Sequence, residues 1–337
     1  MLRFFSVSLL ITIAAIIIAF FELGPAAAYT TIVLIAIEIA FSFDNAIINA
    51  KVLERLSRFW QQMFLTVGML FAIVGMRFVF PILIVMVTAN LPWSTVVNDA
   101  LHNPEVYGEY LADAHPAIAS FGGAFLLTLT LFFFFDTARK DFWLQRFEKY
   151  LLTAGGTVWF PPLLSAIAVC IIAYFVGHEE AKTVLQAGLF GVVSYTAIKL
   201  LIDWLGRLAP KEQKVYVGWP AFFAFMYLQI LDASFSFDGV LGAFAITDKV
   251  LLIALGLGVG AIWVRSLTVY FVRHGTLNSY KYLEHGAHYA IFVLAAALLG
   301  SLFYEVPDAI TGIVGLGVIG ASFISSREAK RARGSAT

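Results

Sequence analysis

Two stretches of this chain decide its fold, Glu38-Ile39-Ala40-Phe41-Ser42-Phe43-Asp44-Asn45-Ala46 and Asp232-Ala233-Ser234-Phe235-Ser236-Phe237-Asp238-Gly239-Val240. Each places an acid six residues ahead of an aspartate, inside a long apolar segment. A carboxylate at the centre of a membrane helix costs about 2.5–3.5 kcal/mol even on lenient scales. A chain that repeats this cost at matching places is expected to build a site there, and the repeat indicates a duplicated fold.

The composition is that of a membrane protein. Hydrophobic residues make up 61% of the sequence and charged residues 13%, and the mean hydropathy is +0.86. These values are typical of a chain that crosses a bilayer several times. Acidic and basic residues balance at 22 each, so the net charge favours no nucleic-acid partner. The lipid bilayer is the expected surrounding, and protein partners are unknown.

Ten apolar segments are long enough to cross a hydrocarbon core, which takes about 20 helical residues. They lie near residues 4–21, 26–48, 62–89, 117–138, 158–177, 183–205, 219–246, 250–272, 287–304 and 308–325. The first segment follows a basic residue and resembles a secretory signal, but it exceeds the roughly 7–15 apolar residues of such a signal. We therefore expect an uncleaved first span.

Basic residues set the expected orientation. One side of the membrane receives seventeen of them: Arg3, Lys51, Arg55, Arg58, Arg139, Lys140, Arg146, Lys149, Arg207, Lys211, Lys214, Arg273, Lys281, Arg327, Lys330, Arg331 and Arg333. The other side receives only Lys182 and Lys249, together with a long acidic loop at 90–116. The bias predicts a multi-pass membrane protein with both termini in the cytoplasm, and the plasma (inner) membrane is the expected location.

The two motif spans run in opposite directions in this arrangement, because five spans separate them. This is the mark of inverted-topology repeats, which many secondary transporters use to build a site near the membrane midplane. The predicted fold class is an all-α polytopic membrane protein with about ten transmembrane helices in two inverted five-helix repeats. The predicted parts are a first repeat half at 1–157, span 5 with a short connector at 158–182, a second half at 183–325, and a basic cytoplasmic tail at 326–337.

The motifs supply an all-oxygen set of side chains. The candidate metal residues are Glu38, Ser42, Asp44, Asn45, Asp232, Ser236 and Asp238. On regular helices the two aspartates Asp44 and Asp238 point about 120° away from the other acids, so convergence requires each helix to unwind there. Gly239 and Gly242 would permit such a break in the second copy, whereas the first copy has no glycine or proline nearby. Oxygen sets of this kind suit hard dications such as Mg²⁺, Mn²⁺ or Ca²⁺.

Proton exchange follows from the same crowding of acids. Burial and like charges disfavour several ionised carboxylates together, so release of the metal should be linked to proton uptake. The metal is then a transported substrate, with no tightly bound cofactor. The opposing interpretation is that arginine and serine partners satisfy these acids within helix packing. Arg77 and Arg265, each in the span that follows a motif, are the expected charge partners, and an arginine extending to the interface is the alternative for either.

Other charged residues allow more than one interpretation. Asp136 is a relay acid, or else a helix cap or a partner for Arg139. Glu284 and His288 either take a metal or proton role at the cytoplasmic mouth or make interfacial hydrogen bonds. Lys199 and Asp203, four residues apart, are expected to pair. Residues 141–152 are typical of an amphipathic interfacial helix.

The acid-x-x-x-Ser-x-Asp pattern, with an arginine in the span after each copy, resembles the TerC family over about residues 26–325. The phrase Tyr282-Leu283-Glu284-His285-Gly286-Ala287-His288-Tyr289 looks like one subfamily of it. The resemblance implies manganese efflux, a link to tellurite-resistance operons, and the inverted repeats of the LysE-type exporter superfamily. It carries metal-site roles onto Glu38, Asp44, Asn45, Asp232 and Asp238. The chain departs from the family at Gly239, where a polar side chain is usual.

The resulting hypothesis is a secondary active transporter that exports a divalent metal ion in exchange for protons. Mn²⁺ is the favoured candidate for that ion. The main alternative is a membrane anchor or scaffold for stress-response proteins without transport activity. An intramembrane aspartyl protease built on Asp44 and Asp238 is a further interpretation, but it leaves Glu38 and Asp232 without a task. We therefore expect no enzyme activity.

Overall fold

The structure is a computed structural model, and it describes residues 2–139, 141–154, 157–208, 215–244, 247, 249–274, 280–304, 306 and 308–334, with most of their side chains. Helices make up almost all of this part of the chain, and it contains no β-strand beyond an isolated pairing of Leu56 with Tyr216. The all-α class predicted from the sequence is confirmed.

The α-helices are α1 (Leu2–Leu23), α2 (Pro25–Phe41), α3 (Phe43–Leu53), α4 (Arg58–Met63), α5 (Phe80–Thr88), α6 (Trp93–His102), α7 (Pro104–Phe134), α8 (Gln145–Ala154), α9 (Phe160–Phe175), α10 (His178–Leu208), α11 (Gly218–Phe244), α12 (Val250–His274), α13 (Leu283–Gly300) and α14 (Asp308–Gly334). Two π-helical segments, Phe64–Gly68 and Phe71–Val79, lie between α4 and α5. Proline opens α2 and α9 at positions where the missing N–H is not needed.

Six helices of the described chain are long and apolar enough to cross a membrane. They are Phe5–Leu23, Glu105–Phe134, Glu179–Leu201, Leu251–His274, Leu283–Gly300 and Ile310–Arg331. Two shorter apolar helices, Pro25–Ile39 and Phe160–Phe175, accompany them. Each of the ten predicted segments falls on a helix or on consecutive helices. The chain is a multi-pass membrane protein, while the count of ten spans, the orientation and the inverted repeat stay predictions.

The helix breaks differ from those expected. The first motif is interrupted at Ser42, which has φ −95° and ψ 15° and separates α2 from α3. No glycine or proline marks this position. The second motif lies within α11, which runs unbroken to Phe244 and passes through Gly239. The predicted break in the second copy is therefore wrong, because a glycine permits a break without imposing one. The predicted loop at 90–116 is largely helical and forms α6 and the start of α7.

The chain divides into two compact units, each made of segments from both predicted halves. The first comprises Met1–Ala46, Arg55–His115 and Val215–Tyr270, and the second comprises Ile47–Glu54, Pro116–Lys214 and Phe271–Thr337. Both motifs belong wholly to the first unit, whereas the last turns of α3 belong to the second. The relation between the two predicted repeat halves stays a prediction.

The first unit depends on a close approach of α12 to α2. A Cβ added at Gly256 would lie 2.5 Å from Cβ of Leu34, and one added at Gly260 would lie 2.5 Å from Cβ and Cγ of Glu38. Glycines four residues apart allow two helices to touch backbone to backbone, as is common between membrane helices. This contact brings α12 against the turn of α2 that carries the first acid of the motif.

The second unit packs in the same way at other glycines. A Cβ at Gly188 would meet Val169 at 2.6 Å and Ser120 at 2.7 Å, so α10 lies close to both α9 and α7. A groove of about 440 Å³ between α7, α8, α9 and α13 is lined by aliphatic and aromatic side chains. Because it offers no charged side chain, it is not a candidate ion site.

Candidate functional site

Asp232 on α11 lies at the centre of a buried polar cluster in the first unit. Its Oδ1 accepts a hydrogen bond from Nδ2 of Asn45 at 2.7 Å, and its Oδ2 accepts one from the Arg265 guanidinium at 2.7 Å. All three side chains are buried. The first motif, the second motif and the arginine of the following span are thus in direct contact. Such charge-assisted bonds are about twice as strong as neutral ones.

Arg265 also binds the main chain of the π-helical region. Its guanidinium donates to the carbonyl oxygen of Phe64 at 2.7 Å and to that of Gly68 at 3.0 Å, and its central carbon lies 4.0 Å above the Phe64 ring. A π-helical turn changes the regular hydrogen-bond ladder, and such turns are frequent at functional sites. The residue is only 4% exposed. Arg265 therefore does not extend to the interface but acts as a buried counter-ion for Asp232.

Glu38, the first acid of the first motif, is also buried. Its Oε1 accepts a hydrogen bond from the Ser42 hydroxyl at 3.0 Å, one turn further along. The backbone N–H of Ser42 donates to the Glu38 carbonyl at 3.0 Å, so the chain keeps its hydrogen bonding on both sides of the break. Gly260 lies against its stem, and Arg265 follows five residues later on α12.

Gln229 is a site residue that sequence analysis missed. It lies one turn ahead of Asp232 on α11 and is 2% exposed, and neither atom of its amide has a hydrogen-bond partner in the described part of the chain. A Cβ at Gly68 would be 2.9 Å from its Nε2 and 3.3 Å from the Arg265 guanidinium. The signal was present as Gln229-x-x-Asp232, a spacing that places two polar groups on one face of an apolar helix.

Four predicted site side chains, those of Asp44, Arg77, Ser236 and Asp238, lie outside the described part of the structure. Their backbones lie in α3, in the second π-helical segment and in α11. Among the described residues, no group of three or more His, Cys, Asp or Glu side chains is placed to hold a metal. The described cluster is a set of oxygen and nitrogen groups around one acid, Asp232.

A third buried carboxylate, Glu148 on α8, lies in the second unit. It accepts hydrogen bonds from Arg139 at 3.0 Å and from the backbone N–H groups of Trp143 and Leu144, both at 3.1 Å. The hydroxyl of Tyr289 donates to it at 3.3 Å. Glu148 thus caps the start of α8 and holds it to α13. The predicted amphipathic helix is present as α8, although the polar side chain of Glu148 on it is buried.

The remaining candidates make local contacts in the second unit. Asp136 is exposed and accepts from the N–H of Ala138 at 2.9 Å, in a local turn that follows the end of α7. Glu284 pairs with Lys51 at 2.9 Å. His288 contacts the carbonyl of Glu284 at 2.8 Å through Nδ1. The relay or metal roles of Asp136, Glu284 and His288 stay predictions. Lys199 and Asp203 pair as predicted, at 2.7 Å.

A bundle of apolar helices that buries acids, amides and an arginine defines a multi-pass membrane protein with a polar interior site. The chain belongs to the family described as "Protein of unknown function (DUF475)", whose model matches residues 43–333. It is also 25% identical over 199 residues to the "Uncharacterized membrane protein YceF" of Bacillus subtilis (strain 168), a match that covers 48% of this chain and 76% of that protein. No solved structure matches the chain.

Proposed function

We propose that this protein is a secondary active transporter that exports a divalent metal ion, Mn²⁺ first, through an intramembrane carboxylate site and in exchange for protons. The observation that carries the proposal is the direct contact of Asn45, Asp232 and Arg265 inside a chain of apolar helices. Ionisable groups buried within membrane helices are rare and mark ion pathways. This pairing of the two motifs supports a single shared site.

The chemistry of the cluster supports a hard cation as the substrate. Glu38, Ser42, Asn45 and Asp232 offer carboxylate, hydroxyl and amide oxygens, and no sulfur ligand stands among them. Asp44 and Asp238 would bring the site to four carboxylates. Mn²⁺, Mg²⁺ and Ca²⁺ all accept such ligands. Protons would neutralise the acids when the metal leaves, which gives an exchange cycle driven by ion gradients.

The choice of manganese and the outward direction come from the resemblance to the TerC family. The same resemblance supports placement in the plasma membrane, and the excess of lysine and arginine on one side supports cytoplasmic termini. We propose no enzyme activity and no tightly bound cofactor, because every buried acid of the cluster then has a role in binding the substrate.

The decisive experiment is Mn²⁺ uptake into inside-out vesicles that contain the protein, with a pH dye that reports proton release. The test variants are Asp44→Asn and Asp238→Asn, and Asp203→Asn is the matched control because its acid pairs with Lys199 at a partly exposed position. We expect uptake by the wild type and the control, and its loss in both test variants.

Equal behaviour of the wild type and the test variants towards Mn²⁺, Mg²⁺ and Ca²⁺ would contradict the transporter proposal and would favour the scaffold alternative. Uptake that survives in only one test variant would show that the two motifs do not share one site. Measuring the expression and thermal stability of each variant distinguishes loss of the metal site from misfolding of the protein.

A further inference from the structure

We propose that the Arg265 guanidinium stands in for the transported cation while the site is empty, and that Gln229 and the main-chain oxygens of Phe64 and Gly68 become cation ligands when the guanidinium leaves. This inference rests on the proposed function, since it concerns the same site. It adds a built-in competitor and three ligands that neither motif contains.

The first argument is the chemistry of the acceptors around Arg265. The guanidinium binds one carboxylate oxygen of Asp232 and the carbonyl oxygens of Phe64 and Gly68, at 2.7, 2.7 and 3.0 Å. A guanidinium has only donors and no acceptor, so it selects oxygens with free lone pairs. A hard dication selects the same oxygens, carboxylate and carbonyl alike. The two cations therefore compete for one set of ligands.

The second argument is the amide of Gln229. A buried amide without hydrogen bonds is costly, and a native structure that keeps one requires an explanation. The amide lies next to Gly68, where a Cβ would be 2.9 Å from its Nε2 and 3.3 Å from the Arg265 guanidinium. Rotation of the amide exchanges its oxygen and nitrogen, so either atom can face the centre. Among the described residues this amide has no hydrogen-bond partner, and a bound cation would supply one.

The third argument is the position of these groups along the chain. Gln229 and Asp232 share one face of α11, three residues apart. The two carbonyls belong to the π-helical segment Phe64–Gly68, where the regular ladder is changed. Side chain and main chain thus meet around the guanidinium from two elements of one unit. A guanidinium that only held helices together would not need, beside it, an amide that has no partner among the described residues.

The test uses the full-length protein in lipid nanodiscs, with Mn²⁺ binding measured by titration calorimetry and by the shift in thermal unfolding temperature on adding Mn²⁺. The variants are Arg265→Gln, Gln229→Leu and Gln229→Glu. The matched controls are Lys199→Gln, which removes a cation from a partly exposed pair, and Gln186→Leu, which changes an exposed glutamine of α10.

We expect Arg265→Gln to bind Mn²⁺ at least about fivefold more tightly than the wild type, because its competitor is gone. The same variant should be less stable without metal and should recover more than the wild type when Mn²⁺ is added. Gln229→Leu should weaken binding and Gln229→Glu should strengthen it, each about fivefold or more. The controls should leave the affinity unchanged.

Weaker Mn²⁺ binding by a folded Arg265→Gln would overturn the inference, since an arginine that only supports the site cannot compete with the metal. If Arg265→Gln does not fold, the two Gln229 variants decide: equal affinities in Gln229→Leu and Gln229→Glu overturn the ligand assignment. A wild type that transports Mn²⁺ while every variant keeps its affinity refutes this inference alone. A wild type that binds none of Mn²⁺, Mg²⁺ and Ca²⁺ refutes the proposed function with it.

Discussion

Nδ2 of Asn45 lies 2.7 Å from Oδ1 of Asp232, across 187 residues of sequence. This hydrogen bond joins the first motif to the second, and Arg265 completes the contact from the other oxygen of the same carboxylate. A buried acid with two donors is held in one position. The motifs therefore belong to one polar cluster. Each of its hydrogen bonds is expected to make a measurable contribution to the free energy of unfolding.

Replacing Asn45 with leucine should destabilise the protein by about 1.5–3 kcal/mol, the usual contribution of a buried hydrogen bond to a charged group. The measurement is the free energy of unfolding by denaturant titration in mixed micelles. Asn103→Leu is the matched control, because Asn103 makes an equivalent bond to Asp99 at 3.0 Å on an exposed helix end. The control should change stability by less than about 0.5 kcal/mol. Equal decreases in the free energy of unfolding of the two variants would show that the buried hydrogen bond stabilises the protein no more than the exposed one.

Adding one methyl group at Gly260 should separate α12 from α2. The new Cβ would lie 2.5 Å from the stem of Glu38, so Gly260→Ala should cost about 1–3 kcal/mol in overpacking. Gly320→Ala on α14 is the control, because nothing lies within 4 Å of its added Cβ. That change should stabilise the helix by about 0.5–1 kcal/mol. Thermal unfolding of both variants tests the contrast, and a stabilising Gly260→Ala would contradict the close approach.

Two ion pairs of the second unit should differ in strength because they differ in burial. Arg139 and Glu148 are almost fully buried, whereas the side chains of Lys51 and Glu284 are 32% and 31% exposed. Double-mutant cycles with alanine should give a coupling of about 2–3 kcal/mol for the buried pair. The exposed pair should give less than about 1 kcal/mol. The coupling energies come from denaturant unfolding, and a stronger Lys51–Glu284 pair would reverse this ranking.

His288 should act by packing and not by binding metal or protons. Its ring stacks on Phe133 at 3.6 Å between centroids. His288→Phe keeps this stacking and should cost no more than about 1.5 kcal/mol for the lost hydrogen bond. His288→Ala also removes the ring and should cost about 3–5 kcal/mol. Vesicle transport should survive in His288→Phe, and its loss in a stable variant would assign His288 to the ion pathway.

Much of the fold was predictable because apolar helices in a bilayer need only length and composition. All ten predicted segments fall on helices, and the pairing of Lys199 with Asp203 followed from their spacing on one helix. The acids were recognisable because a charge in an apolar segment is costly. The contact between Asn45 and Asp232 could not be predicted from either motif alone, since it depends on how α3 packs against α11.

The missed features share one physical cause, which is that tertiary contacts decided them. Glu148 looked like one charge of an amphipathic helix, yet contacts from Arg139 and Tyr289 turn it inward. Gln229 stands among apolar residues in the sequence, and only packing places it beside Gly68 and Arg265. Gly239 suggested a break that α11 does not have. Local sequence limits which conformations are allowed, and packing then selects among them.

The interruption at Ser42 has a consequence for how the protein assembles. No residue near it disfavours a helix strongly, so we expect the segment from Pro25 to Leu53 to insert into the bilayer as one straight helix. In the two-stage description of membrane folding, helices first insert and then associate. The interruption would then arise only in the second stage, when the glycines of α12 pack against Leu34 and Glu38. A newly inserted chain would therefore lack the polar cluster around Asp232 until α11 and α12 arrive, and under the proposed transport function an incomplete copy would offer ions no binding site.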